Sequence, residues 1–231
     1  MWVIVAGTIV IYLFSTRVLP NNSWISEVVE SIEEVSLLIG VILYLKEAPD
    51  RRKQFHYHAW GAIDGAASAK VSQTRIMALQ DLNNDGVSLR GFHGEGLDLS
   101  EVQLPGADMR QCQLKDAKLD DCVLTDADLS YATMQHACLV RSNFAHTRFD
   151  FAALAHANFN GANLEKCQLF CADLTGANLS GVNLRYASLK GVCFEGAVLA
   201  GADFTGADVD VRALSKGLMS STRMPDGTLS P

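Results

Sequence analysis

The chain has 231 residues, 48% of them hydrophobic and 19% charged, and its 26 acidic against 19 basic side chains leave a formal net charge of -7. That balance works against direct binding to nucleic-acid phosphates. The six cysteines show neither CxxC spacing nor a Cys and His cluster, which excludes the usual zinc frameworks.

Residues 1–19 carry one charge, Arg17, and are otherwise strongly apolar around Trp2, Ile4, Ile11 and Phe14. The uncharged run is shorter than the roughly 20 residues that span a bilayer, but a snorkelling Arg17 and an interfacial Trp2 extend it. No positive charge precedes the run and no A-x-A site comes after it, so a retained transmembrane helix is expected in place of a cleaved signal peptide. A second apolar stretch, 24–45, opens after Ser23 as a helix cap. Glu27, Glu30, Glu33 and Glu34 lie in its first half, and its charge-poor second half contains Leu38 and Ile42. It reads either as a second spanning helix with an acidic half or as an interfacial helix packed on the first. The expected membrane-anchoring residues are Trp2, Ile4, Ile11, Phe14, Leu38 and Ile42.

Residues 46–86 begin with a basic cluster, Lys46, Arg51, Arg52 and Lys53, interrupted by Glu47 and Asp50. Positive charge beside a membrane segment favours the cytoplasmic side, which places the rest of the chain there. A helix is expected over 49–63 with Phe55, Trp60 and Ile63 as anchors, and another over 74–82 that plugs the near end of the next segment.

That segment is periodic. From Leu99 to Phe204 every fifth residue is Leu, Phe or Met, and the residue two places earlier is nearly always Ala, Cys, Val, Ser or Thr. A period of five suits neither a 3.6-residue helix nor an alternating strand, so the chain must coil. The units Ala127-Asp128-Leu129-Ser130-Tyr131, Ala162-Asn163-Leu164-Glu165-Lys166 and Ala177-Asn178-Leu179-Ser180-Gly181 resemble the pentapeptide-repeat family. The resemblance implies an all-β, right-handed quadrilateral β-helix, with four pentapeptides per coil and the large and small residues pointing inward, here preceded by α-helical membrane segments. It predicts a repeat domain over 87–211 of about six coils, close to 30 Å long at strand spacing. Its first coil is irregular, because Gly94 occupies a central position and Phe92 and Leu97 take sites meant for small residues. A turn-prone, mobile tail is expected over 212–231, including Met224-Pro225-Asp226-Gly227-Thr228. The KEAPDRRK junction, the ALQDLN helix and the MPDGT tail are similar to those of cyanobacterial members of the family, which suggests a plasma or thylakoid membrane.

Within the repeat, Cys112, Cys122 and Cys167 take the small inward position and read as reduced packing residues, whereas Cys138, Cys171 and Cys193 face outward. There is no GxSxG, phosphate-cradling GxxxxGK(S/T), strand-linked GxGxxG or HExxH, and the recurring Asp and Asn belong to the repeat's second position. No catalytic residue, cofactor or metal site is expected. Residues 87–210 hold 16 acidic and 9 basic side chains, so the repeat accounts for the net charge. Residues twenty apart should stack, which brings Tyr131 over Phe151 with Phe170 beside them and His136 over His156 at the following corner. Clustered exposed aromatics of this kind mark protein interfaces. These five residues are the expected protein-binding set. The function expected is a membrane-anchored scaffold or docking subunit of a membrane protein complex, contacting protein subunits and the lipid bilayer. The alternative, implied by the resemblance, is an acidic regulator that imitates DNA and binds a gyrase-like enzyme.

Overall fold

The computed structural model describes residues 41, 53–61, 63 and 73–230. The expected membrane segments therefore fall, apart from Val41, outside the described residues, as do Trp2, Ile4, Ile11, Phe14, Leu38 and Ile42. Among the described residues no helix is long and apolar enough to cross a membrane. The chain divides into two units, Met1–Tyr57 and His58–Pro231. In the first, residues 41 and 53–57 are helical, and Phe55 and Tyr57 are exposed. In the second, Ala59 and Ile63 are buried and Trp60 is partly so, which makes Ile63 a core residue.

A helix at Gln73–Asn84 precedes the repeat and buries Ile76, Ala78, Leu79 and Leu82. It ends in a Schellman turn, with Val87 N–H bonded to the Leu82 carbonyl at 2.9 Å and Gly86 N–H to Asn83 at 2.9 Å. Gly86 supplies the left-handed residue that this turn requires, at φ +70. Val87 packs on the core beyond it, and the Asn83 amide reaches over the first coil to the Pro105 carbonyl at 3.0 Å. The expected helix over 74–82 thus exists and covers the otherwise open end of the repeat.

The repeat coils with a period of twenty. Parallel bridges join Asp98 to Lys118, Asp108 to Asp128, Thr133 to Ala153, Asn163 to Asn183 and so on along four faces. Each pentapeptide gives its backbone to the next coil. Leu129 N–H bonds Arg148 at 2.7 Å and Tyr131 N–H bonds Asp150 at 2.9 Å, and the turn closes on itself from Ala132 N–H to Leu129 at 3.1 Å. This geometry dictates the side-chain pattern. Central Leu, Phe and Met residues and the Ala or Cys two places before them are almost fully buried from Leu99 to Phe204. Burying each large side chain contributes about 1.5–3 kcal/mol, so the stacked interior carries the fold. The faces are named below for one outward residue each: Asp128, Thr133, Cys138 and Asn143.

Three interior exceptions are accommodated by chemistry. At Gly94 an added Cβ would lie 2.8 Å from both the Phe92 ring and Leu114, so the ring of Phe92 fills the space that a central Leu occupies elsewhere. The inward Thr147 hydroxyl donates to the Leu124 carbonyl at 2.6 Å. Ser142 Oγ donates to the Leu119 carbonyl at 2.5 Å and accepts from Cys122 N–H at 3.0 Å, taking the place of a turn bond. Both hydroxyls are tolerated in the interior because each has a partner.

The C-terminal stretch differs from the expected mobile tail. A one-turn helix, Val211–Leu214, capped by the Asp210 carboxylate on Arg212 N–H at 2.9 Å, replaces one face. Bridges from Val198 to Leu218 and from Asp203 to Arg223 then resume the coil. Leu214 is fully buried in the central register, and Met219 and Met224 pack on the core at the next two central positions. Thr222 donates to the Leu199 carbonyl at 2.7 Å, and an antiparallel bridge from Arg223 to Leu229 folds the last residues back over the end.

Candidate docking edge

Every fifth residue from 86 to 206 sits at positive φ, because each coil turns through a left-handed residue at each corner. Glycine adopts that conformation freely, whereas a residue with a side chain pays roughly 1–2 kcal/mol. Two of the most demanding substitutions stack at one corner. Tyr131 has φ 62 and Phe151 has φ 58. Their rings lie 5.0 Å apart and within 10° of parallel. Phe170, one residue before the same corner in the next coil, meets Phe151 edge-on at 5.3 Å. Exposures of 55%, 45% and 45% leave all three rings available to a partner. The expected juxtaposition is present.

The Asp128 face runs up to this edge, and the two line a shallow cavity of about 540 Å³. Its floor is an ion-pair ladder that the repeat pattern alone does not reveal. Arg110 holds Asp108 through two bonds of 2.7 and 2.9 Å, and Arg148 Nη2 holds Asp150 at 3.0 Å. Asp128 sits between them, 4.0 Å from Arg110 and 3.9 Å from Arg148. The Arg110 guanidinium pulls the Asp108 carboxyl far below the usual carboxylate range. Asp150 also accepts the Phe170 backbone N–H at 3.1 Å, so the same carboxylate fixes Arg148 and the backbone under the outermost ring. Beyond Arg148 the floor turns uncharged at Gln168 and Ser188. The signal was available, since the twenty-residue rule that paired Tyr131 with Phe151 also aligns Asp108, Asp128, Arg148, Gln168 and Ser188.

His136 and His156 stack at the next corner, 5.1 Å apart and 7° from parallel. The imidazole of His156 leans over Gly176, where an added Cβ would come within 2.5 Å of Nδ1. Among the described residues no group of three or more His, Cys, Asp or Glu side chains is placed to hold a metal. Burial pushes the Cys112 and Cys122 thiols up to about 12, and Cys167 higher still. Thiols that reluctant to ionise pack as small apolar groups.

A family model for pentapeptide repeats matches residues 107–144, 147–185 and 177–210, with eight copies. Among solved structures, the chain is similar to Rfr23, a pentapeptide repeat protein from the cyanobacterium Cyanothece 51142, at 25% identity over 64% of this chain and 100% of that one, with a TM-score of 0.39. It is similar to HetL of Nostoc sp. strain PCC 7120, a pentapeptide repeat protein involved in heterocyst differentiation regulation, at 20% identity over 67% and 98% of the two chains, with a TM-score of 0.26. Full-length QnrB1, a plasmid-mediated fluoroquinolone resistance protein, aligns at 22% identity over 55% and 79%, with a TM-score of 0.33. No curated protein sequence matched the chain.

Proposed function

The chain belongs to the pentapeptide-repeat family through its repeat segment, a right-handed β-helix, and we propose that it is a non-enzymatic, membrane-anchored scaffold whose repeat docks a protein subunit of a membrane complex. The observation that carries this reading is the ring cluster of Tyr131, Phe151 and Phe170, in mutual contact, exposed, and held partly on backbone that favours glycine. Strain retained at a surface where a smaller residue would fold as well points to a use for the side chain. Aromatic anchors beside a polar floor are the usual composition of an interface centre.

The membrane part of the proposal rests on the apolar segments 1–19 and 24–45 and the basic cluster behind them, with the repeat on the cytoplasmic face of a plasma or thylakoid membrane. The DNA-imitating alternative requires carboxylates that stand free as phosphates do. On the Asp128 face, Asp108, Asp128, Asp150 and Asp208 each lie within ion-pair distance of Arg or Lys, which favours docking over mimicry.

The test is co-purification. Replacing Tyr131, Phe151 and Phe170 by Ser should leave the thermal midpoint nearly intact yet lose about 1–2 kcal/mol of binding per anchoring ring, releasing the native membrane complex. An equal change at Arg185 and Tyr186, on another face, should retain it. Wild-type recovery of the complex by the triple variant places docking elsewhere. Deleting residues 1–45 should move a folded repeat from carbonate-washed membranes to the soluble fraction, and its retention there rejects the anchor.

A further inference from the structure

The Thr133 face begins at the aromatic edge, and its outward column nearest the histidine corner carries charges in a pattern that reverses about its middle. Backbone bonds define that column. The N–H groups of Gly96, Asp116 and His136 bond the carbonyls of Lys115, Gln135 and Ala155 at 2.9, 3.0 and 3.1 Å, and those of His156, Gly176 and Gly196 bond Thr175, Glu195 and Lys216 at 2.8, 2.8 and 3.2 Å. Glu95, just before Gly96, is the first rung, and Lys216 is the last because the one-turn helix Val211–Leu214 shifts the chain by one residue. Along the rod the signs therefore run minus, plus, three uncharged rungs, minus, plus. All four charged side chains are exposed, and none forms an ion pair among the described residues. Gln135, Ala155 and Thr175 between them are half-buried.

Resting on the docking reading above and naming its partner, we infer that this face receives a second copy of the chain, laid antiparallel about a two-fold axis that crosses it at Ala155. The operation brings Lys115 to Glu195 of the second copy and Glu95 to its Lys216, each twice, so every charge left unpaired in this column meets its opposite. In the neighbouring column Thr133 faces Asp173 of the second copy, whose carboxylate holds Thr175 N–H at 3.0 Å and its hydroxyl at 2.6 Å through one oxygen and keeps the other for a new donor. At the corners Asp116 faces Gly196 and Gln111 faces Gly191, so side chains meet bare backbone, and the exposed Phe151 ring meets its own copy on the axis. The register is specific. Sliding the axis by half a coil opposes Glu95 to Glu195 or Lys115 to Lys216, and a full coil sets Lys115 or Glu195 on Ala155. A parallel copy turns the column onto Gln113, Thr133, Ala153 and Cys193, which leaves the lysines unpaired. A partner of one sign meets like charge at two of the four charged rungs. Strand addition is closed, because the backbone is already bonded from coil to coil, as in Thr133 N–H to Cys112 at 2.9 Å and Met134 N–H to Ala153 at 2.8 Å.

The face is six coil spacings long, roughly 30 Å, and narrow, so a concentration-dependent dimer is expected in place of an obligate one. Sedimentation equilibrium of the full chain in density-matched detergent measures it. Lys115→Glu and Glu195→Lys should each weaken self-association about tenfold, because either change opposes like charges twice. An equimolar mixture of the two variants should recover association to within about threefold of wild type, since each supplies the charge that the other now lacks, and a chain carrying both changes should do so alone. Glu101→Lys, on a corner away from this face, should stay within about twofold of wild type. A wild-type chain that remains monomeric, single variants that associate as wild type does, or a mixture no better than either variant overturns the inference. If the triple Ser variant loses the native complex while the two charge reversals leave self-association unchanged, the docking edge stands and the second copy falls. If the triple Ser variant keeps both the complex and its self-association, both fall.

Discussion

Between residues 111 and 156 no corner of the coil is glycine, whereas from 161 to 206 every corner except Lys166, Cys171 and Tyr186 is. Yet the interior is equally buried in both halves, with Leu129 and Leu184 both at 0% exposure. Two stretches of one solenoid therefore share a core and differ in their corners. The difference separates what builds the fold from what the fold presents. Glycine corners are the relaxed solution, and the decorated corners carry rings, imidazoles and charges against a backbone preference.

The separation breaks first if the core is not common to both halves. Leu129→Asp and Leu184→Asp each place an unpaired charge in a narrow apolar shaft, at a cost of several kcal/mol, about 4 or more. Both should fail to give a cooperative melt at the wild-type midpoint, and by similar margins. Glu165→Ala, at a half-buried outward position between them in sequence, should shift stability by roughly 0.5 kcal/mol or less. A protein that melts normally with either Asp in place has its register wrongly assigned.

A corner exchange sharpens the comparison with smaller effects. Gly181 has φ +66 and open space around it, so Gly181→Ala reports backbone strain alone, about 1–2 kcal/mol. Gly176→Ala carries the same strain and must also displace His156, so its midpoint should fall further. The reverse exchange, Phe151→Gly, relieves strain of that size and removes stacking worth about 0.5–1.5 kcal/mol, leaving stability within about 1 kcal/mol of wild type. Thermal unfolding of the three variants orders them. A large loss for Phe151→Gly would make the aromatic corner structural and remove the reason to read it as a docking edge.

The core and the corners were legible in the sequence to different depths. A five-residue period needs only residue size, so Leu99 to Phe204 announced the shaft, and stacking twenty apart announced the ring pairs. The Asp128 ladder was missed because Asp at the repeat's second position is expected anyway, and only its neighbour's identity, Arg110 or Arg148, turns solvation into pairing. The C-terminal coil was missed for another reason. The central register continues through Leu214, Met219 and Met224, but Arg212, Gly217 and Thr222 occupy the small-residue position, and a helix interrupts the face between. Gly217 is there because a Cβ would meet Leu199 at 2.7 Å, a constraint of close approach that carries no apolar signal.

The smallest expected effect concerns charge on the decorated coils. Arg110 holds the Asp108 carboxyl well below its ordinary range, and Arg141 does the same for Asp121 through side-chain hydrogen bonds. A carboxyl depressed on folding adds stability above its unfolded pKa, near 3.8, and loses it as pH falls through the lower folded value. Asp108→Asn with Asp121→Asn should therefore melt slightly below wild type at pH 7, and the two curves should converge as pH drops below about 4. Both pairs are solvent-accessible, so the gap at neutral pH should also shrink in high salt. Thermal midpoints across pH at two salt concentrations measure it. A gap that persists undiminished into acid assigns these carboxylates a packing role and leaves the decorated corners without the electrostatic support that the ion pairs supply.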